Sequence, residues 1–175
     1  TGTPKTPVIF NTSNKIEQCL EFNKGWNWVS FYVRPDDLTT EGVFSDYFSK
    51  LTKIHGPSSS YDFVSAQRPW EGDLQMLNNT DLYMIYSKVQ FTMTISGAAI
   101  NTKDYPITIN PGLNAIGYTP AFSMSVADAF AGLNPNDGDM VQYMNDYAVY
   151  EANNRAWMGS LKTMKPGLGY KYYSN

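Results

Sequence analysis

Two of the residue types that carry most protein chemistry occur once each: His55 is the single histidine and Cys19 the single cysteine of 175 residues. A Ser-His-acid or Cys-His site would have to be built around His55, and one histidine with one cysteine cannot make a usual zinc site. His55 precedes Gly56-Pro57, where a solvent-facing strand or turn residue is expected. Cys19, beside Leu20, reads as a small apolar filler and can close no intramolecular disulfide. The 16 acidic residues leave two-carboxylate glycoside cleavage open, because such pairs keep no fixed spacing, yet they fall mainly in turn-like segments. Asn134 to Asp139 resembles a fragment of a calcium loop with Asp137 and Asp139 as weak ligands, but the glutamate due six residues after Gly138 is Met144. Gly167-Leu168-Gly169 precedes a strand and lacks the lysine or later glycine of a phosphate loop. No catalytic residue and no cofactor is therefore assigned, calcium excepted as a weak candidate.

Binding is better supplied than catalysis. The chain carries 13 Tyr, 9 Phe and 4 Trp, so rings must provide much of its buried area and can also line a surface. On a strand, Trp26 and Trp28 project to one face with Ser30 and Tyr32, while Asn27, Val29, Phe31 and Val33 project to the other. Two alternatives follow for the first face: an open platform for sugar rings or a partner's aromatic patch, or a cover over the helix stripe Val43, Phe44, Tyr47 and Phe48. Tyr32 joins the platform set, and Tyr172 is added as an exposed ring on a late strand.

The elements that must position these residues are written twice. Arg68-Pro69-Trp70-Glu71-Gly72-Asp73-Leu74 recurs as Arg155-Ala156-Trp157-Met158-Gly159-Ser160-Leu161, Trp70 to Trp157 being 87 residues. Asn23, Gly25 and Asn27 recur as Asn110, Gly112 and Asn114, and Tyr83 and Tyr86 as Tyr170 and Tyr173. What persists in both copies serves the fold, so Trp70, Gly72, Leu74, Trp157, Gly159 and Leu161 are read as the repeat's structural signature. Trp26 and Trp28 become Leu113 and Ala115, so large rings there are optional for folding. The expected unit is a hairpin from Leu20 to Val33, a helix of about three turns from Val43 to Leu51, short strands, the Trp motif and a closing strand, with Val89–Ser96 bridging the units. Ser125 with Asp128 signals a capped, shorter helix in the second copy. The fold class is α+β, predominantly β: two pseudo-repeats of about 87 residues, each of short antiparallel strands with one short helix. Residues 1–15 read as a linker and edge strand, 16–96 as the first unit and 97–175 as the second.

A net charge of −3 with singly scattered Lys and Arg argues against nucleic acid as a partner. No run of about 18 apolar residues is present to span a membrane. The Thr- and Pro-rich start, together with an end soon after a strand, suggests an excised piece of a longer chain or a processed form.

Lys24-Gly25-Trp26-Asn27-Trp28-Val29-Ser30-Phe31, the two Trp motifs, and Pro166-Gly167-Leu168-Gly169-Tyr170 resemble a tandem repeat of large secreted or surface proteins of Bacteroidetes and related bacteria. The likeness covers roughly residues 16 to 175, and the second unit departs from it at Leu113 and Ala115. It implies an accessory module, extracellular or at the cell surface, next to other domains of its parent chain, with no catalytic residues to carry over. The expected function is a non-catalytic binding or adhesion module for polysaccharide or glycan. Its alternatives are a structural spacer or surface-anchoring module and, last, a glycan-acting hydrolase.

Overall fold

A computed structural model describes residues 15–175, so the linker and edge strand expected around Val8–Phe10 lie outside the described residues. The first unit runs β1 (Lys15–Phe22), β2 (Gly25–Val29), β3 (Val33–Arg34), helix α1 (Thr40–Phe44) with a 3-10 turn at Ser45–Tyr47, β4 (Leu51–His55), β5 (Ser60–Phe63), β6 (Trp70–Gly72), β7 (Tyr83–Ser87) and β8 (Phe91–Ala99). The second runs from a 3-10 turn at Thr102–Asp104 through β9 (Gly112–Gly117), β10 (Met124–Ser125), α2 (Val126–Ala129), β11 (Met140–Tyr143), β12 (Asp146–Glu151), β13 (Ala156–Gly159), β14 (Thr163–Met164) and β15 (Gly169–Ser174). This is an α+β architecture that is predominantly β, with antiparallel strands throughout.

Each unit centres on a five-stranded sheet, ordered β2-β7-β4-β5-β6 in one and β9-β15-β11-β12-β13 in the other. Their registers correspond at an offset of 87: Trp26 faces Tyr86 as Leu113 faces Tyr173, Ile54 faces Ile85 as Val141 faces Tyr172, and Tyr61 faces Gly72 as Ala148 faces Gly159. Strand alternation sends Val29, Ile54, Tyr83 and Ile85 into one core and Ile116, Val141, Tyr170 and Tyr172 into the other. The helices lie over these buried faces, with Phe44 fully buried against Phe31. Thr39 Oγ1 caps α1 by accepting from Gly42 N at 2.9 Å, and Ser125 Oγ caps α2 by accepting from Asp128 N at 3.0 Å. The three-turn helix expected over Val43–Leu51 is shorter, because Leu51 already opens β4, paired with Ser87 and fully buried.

The Trp motifs close both sheets alike. A Cβ at Gly72 (φ +155°) would lie 2.0 Å from Ser60 O, and one at Gly159 (φ +147°) 2.2 Å from Tyr147 O, so only glycine lets these strands meet. Trp70 stacks on Phe48 at 4.5 Å and Trp157 leans on Phe130 at 5.3 Å, each beside its own unit's core, and Leu74 and Leu161 are buried.

Three local expectations are corrected. β1 and β2 form no hairpin: the Asn27 amide accepts from Asn23 N and donates to Asn23 O and Gly25 O, turning the corner and sending the two strands into different sheets. The same three bonds recur at Asn114, Asn110 and Gly112. The strand expected at Val89–Ser96 is not a bridge between units; as β8 it is the centre of a separate sheet, β1-β8-β3. Cys19 is exposed rather than a filler, since β1 alternates and it falls on the outer side.

The units meet where Ser30 N donates to Gly167 O at 3.0 Å and Gly117 N donates to Thr80 O at 2.7 Å, beside isolated bridges of Val29 with Leu168 and Ile116 with Asp81. An offset of 87 turns Val29, Ser30, Thr80 and Asp81 into positions 116, 117, 167 and 168. The contact is thus a pseudo-two-fold one, each unit offering the same edge to the other. Among the described residues no helix is long and apolar enough to cross a membrane.

Candidate functional site

The first sheet buries one face and leaves the other open. Cross-strand pairing lays the open face out in two rows, Trp26-Tyr86-Lys53-Asp62 and Trp28-Met84-His55-Ser60. The helix covers the opposite face, so the tryptophans do not roof the helix stripe. Trp26 is 42% exposed, which keeps a ring surface available, whereas Trp28, Trp70 and Trp157 are partly buried.

Two neighbours brace the Trp26 indole, the His55 ring at 5.4 Å and the Tyr86 ring at 5.4 Å edge-on. Such packing holds a large ring in place at little entropic cost on binding. Trp28 is differently employed: the Lys171 ammonium sits 4.7 Å over its ring and Tyr143 meets it edge-on at 6.3 Å, both reaching across from the second unit. The turn joining β11 and β12 adds Met144 and Asn145, with Met144 held at φ 51°. Trp26, Trp28, His55, Met84, Met144 and Asn145 line a groove of about 380 Å3 between the units.

His55 Nε2 lies 2.9 Å from Asp62 Oδ1. The pair places a polar couple beside the indole, yet among the described residues no hydroxyl or thiol hydrogen-bonds the imidazole, and no carboxylate lines the groove. The site offers stacking and hydrogen bonding.

Trp26 and Trp28 are brought together as expected, and Tyr32 and Tyr172 are not part of the set. β2 ends at Val29 because Ser30 turns into the junction, fully buried, its hydroxyl donating to Leu168 O at 2.7 Å and accepting from Tyr118 N at 3.0 Å. Tyr32 therefore lies beyond the strand and packs against the first core. Tyr172 is fully buried and its hydroxyl donates to Asp139 Oδ2 at 2.8 Å, so it has no face to offer a ligand. Asp139, 2% exposed, also accepts from Asn136 N at 3.0 Å and Asn175 N at 2.8 Å, and Asp137 accepts from Ala152 N at 2.8 Å. These acids build a corner of the second core. No group of three or more His, Cys, Asp or Glu among the described residues is placed to hold a metal ion.

His55, Met84, Tyr86, Met144, Asn145 and Lys171 were not singled out as ligand-face residues from sequence. For the first three, a signal existed in the alternation of β4 and β7 against β2; the others depend on how the units meet. Compared with protein-family models, curated proteins and solved structures, the chain matches none.

Proposed function

We propose that this chain is a non-catalytic binding module that holds carbohydrate against Trp26, within a larger exported bacterial protein. The observation that carries the reading is the Trp26 ring: partly exposed, braced on two sides, and set in a groove with hydrogen-bonding groups at its rim. The apolar C–H face of a sugar ring stacks on such an indole, while His55 and Asn145 in the groove lining offer polar groups to meet hydroxyls. Export and attachment to a longer chain rest on the resemblance of the repeat phrases.

The pseudo-two-fold junction favours a second reading, a spacer or surface-anchoring module, because the backbone bonds that join the two units hold them together whatever their faces bind. Retention on a panel of insoluble polysaccharides, or on a glycan array, separates the two. The wild type is expected to be retained on at least one glycan, Trp26→Ala to lose that retention, and Trp28→Ala to weaken it less, since Lys171 already occupies one side of that ring. No retention on any glycan, or retention unchanged in Trp26→Ala, leaves the spacer reading standing.

A further inference from the structure

The hairpin that joins β11 to β12 stands between two cavities. Met144 and Asn145 at its tip line the groove of Trp26, while Tyr143 and Asp146, the pair at its base, line a second cavity of about 290 Å3. The Tyr143 ring connects the two, meeting Trp28 edge-on at 6.3 Å and Tyr170 at 5.7 Å. Met144 holds φ 51°, a conformation that suits glycine or asparagine, and its carbonyl accepts from Gln142 Nε2 at 2.7 Å. A methionine kept in that place serves the groove better than it serves the turn.

The second cavity differs in charge from the same place in the first unit. Ser160, Lys162, Thr163 and Lys165 line it beside Tyr143 and Asp146. The positions 87 residues earlier are Asp73, Gln75, Met76, Asn78, Gly56 and Ser59, so two lysines with one carboxylate replace one carboxylate with no base. The backbone beneath is shared: Lys165 N donates to the Tyr170 hydroxyl at 2.8 Å, as Asn78 N does to that of Tyr83 at 2.7 Å. Neither Lys162 nor Lys165 forms an ion pair among the described residues. The fold therefore does not require these bases, yet both are set on one cavity in a chain of net charge −3.

We infer that this cavity is a second subsite, which takes the anionic group of an acidic sugar residue, a carboxylate or a sulfate ester; the inference rests on the reading that the ligand is carbohydrate. Two ammonium groups supply charge-assisted hydrogen bonds to such a group. Ser160 Oγ accepts from Tyr147 N at 3.3 Å, which leaves its hydroxyl hydrogen to donate, and Thr163 adds another hydroxyl. Burial raises Tyr143, so its phenol stays protonated and able to donate. Asp146 can accept from a ring hydroxyl beside the anion.

Galactose, galacturonate and galactose sulfated on its primary hydroxyl share one ring and differ in a single substituent, so these three are the probes, titrated into the whole chain and followed by backbone amide shifts. At least one charged sugar should move Ser160, Thr163 and Lys165 saturably and bind there at least about tenfold more tightly than galactose. The tighter of the two identifies the anionic group, and added salt should weaken it. Lys162→Gln combined with Lys165→Gln should bring both charged sugars down to the level of galactose; the two side chains are exposed, so the fold is not at stake. Trp26→Ala should leave the single sugars unaffected at the cavity and weaken an oligomer of the tighter one. If the oligomer ignores Trp26→Ala but depends on the lysines, the stacking reading fails and the acidic-sugar subsite stands. Equal shifts by galactose, no shift by either charged sugar, charged-sugar binding that survives the lysine substitutions, or inorganic sulfate bound as tightly as the sugars overturns the inference.

Discussion

On the open side of the first sheet, one cross-strand row reads Trp26, Tyr86, Lys53, Asp62 and Glu71; the row 87 residues later reads Leu113, Tyr173, Met140, Val149 and Met158. The same backbone pairs carry rings and charges in one unit and mostly aliphatic and thioether groups in the other. Open positions of this sheet are thus under little obligation to the fold, and their chemistry is free to differ. The buried side shows a subtler divergence: Phe31 and Ile85 have Tyr118 and Tyr172 as counterparts, so the second core must satisfy extra phenols. It does so with Phe122 O at 2.8 Å from the Tyr118 hydroxyl and with Asp139 at Tyr172.

The largest expected effect uses that difference. Burial pushes Tyr118 up to about 12 and also raises Tyr170 and Tyr172 in the second unit. In the first, hydrogen bonding to Glu41, then burial, pushes Tyr61 up to about 12, and burial raises Tyr83. A phenol whose folded pKa lies above the ordinary 10.0 stabilises the fold while protonated. That contribution is whole below pH 10 and is lost as pH climbs through 12 and beyond. Burial also raises Tyr32 in the first unit and Tyr143 in the second, so with four such phenols against three the second unit should open first in alkali, as followed by amide exchange after a pH jump alongside tyrosinate absorbance. Prior opening of the first unit would break the contrast.

Next in size come the glycines the units share. Gly72→Ala and Gly159→Ala each drive a Cβ into a carbonyl oxygen from a backbone conformation that L residues avoid. Each should cost on the order of 3 kcal/mol. Thermal melts of the two variants should fall by similar amounts; a loss in only one would show that the Trp motifs are not structurally interchangeable.

The motif and its spacing made the correspondence between the two units legible, because tryptophan, glycine and leucine recur at a fixed offset, but not which strands pair within each sheet. The β1-β8-β3 sheet was not legible: pairing Phe22 with Phe91 is a long-range choice that local alternation does not encode. Asn23-Lys24-Gly25 resembled a hairpin turn because the decisive group, the Asn27 side chain, acts from two residues past it. Trp26 and Trp28 were readable as a face from alternation alone. Tyr32 was misplaced because nothing local announces that the strand stops at Ser30, a residue held by the other unit. Tyr172 was misread as exposed, although its counterpart Ile85 already hinted at the core.

Ser30 supplies the third test, at the junction. Its counterpart is Gly117, so the pseudo-two-fold contact has a hydroxyl on one side only. Ser30→Ala leaves Tyr118 N and Leu168 O buried without that partner and should cost about 2 kcal/mol. Calorimetry should show the loss. If coupling between units runs through this hydroxyl, a wild type expected to melt in a single transition gives a variant that melts in two; one unsplit transition at unchanged temperature would mean the backbone bonds at Gly167 and Thr80 suffice.

The smallest stability effect is expected where the ligand effect is largest. Trp26→Leu installs the residue of the second unit at a position already 42% exposed, so its melting should stay within about 0.5 kcal/mol of wild type. Trp28→Ala removes the edge contact with Tyr143 and the seat of the Lys171 ammonium, and should cost about 1 kcal/mol. Two tryptophans two residues apart then divide their labour, Trp28 fastening the units together and Trp26 standing free beside His55 and Asp62. Stability measured next to glycan retention distinguishes them: Trp26→Leu should keep the fold and lose retention, while Trp28→Ala loses some of each. If Trp26→Leu melts as low as Trp28→Ala, the first indole is a packing element after all, and the open face of the first sheet is no freer than its buried one.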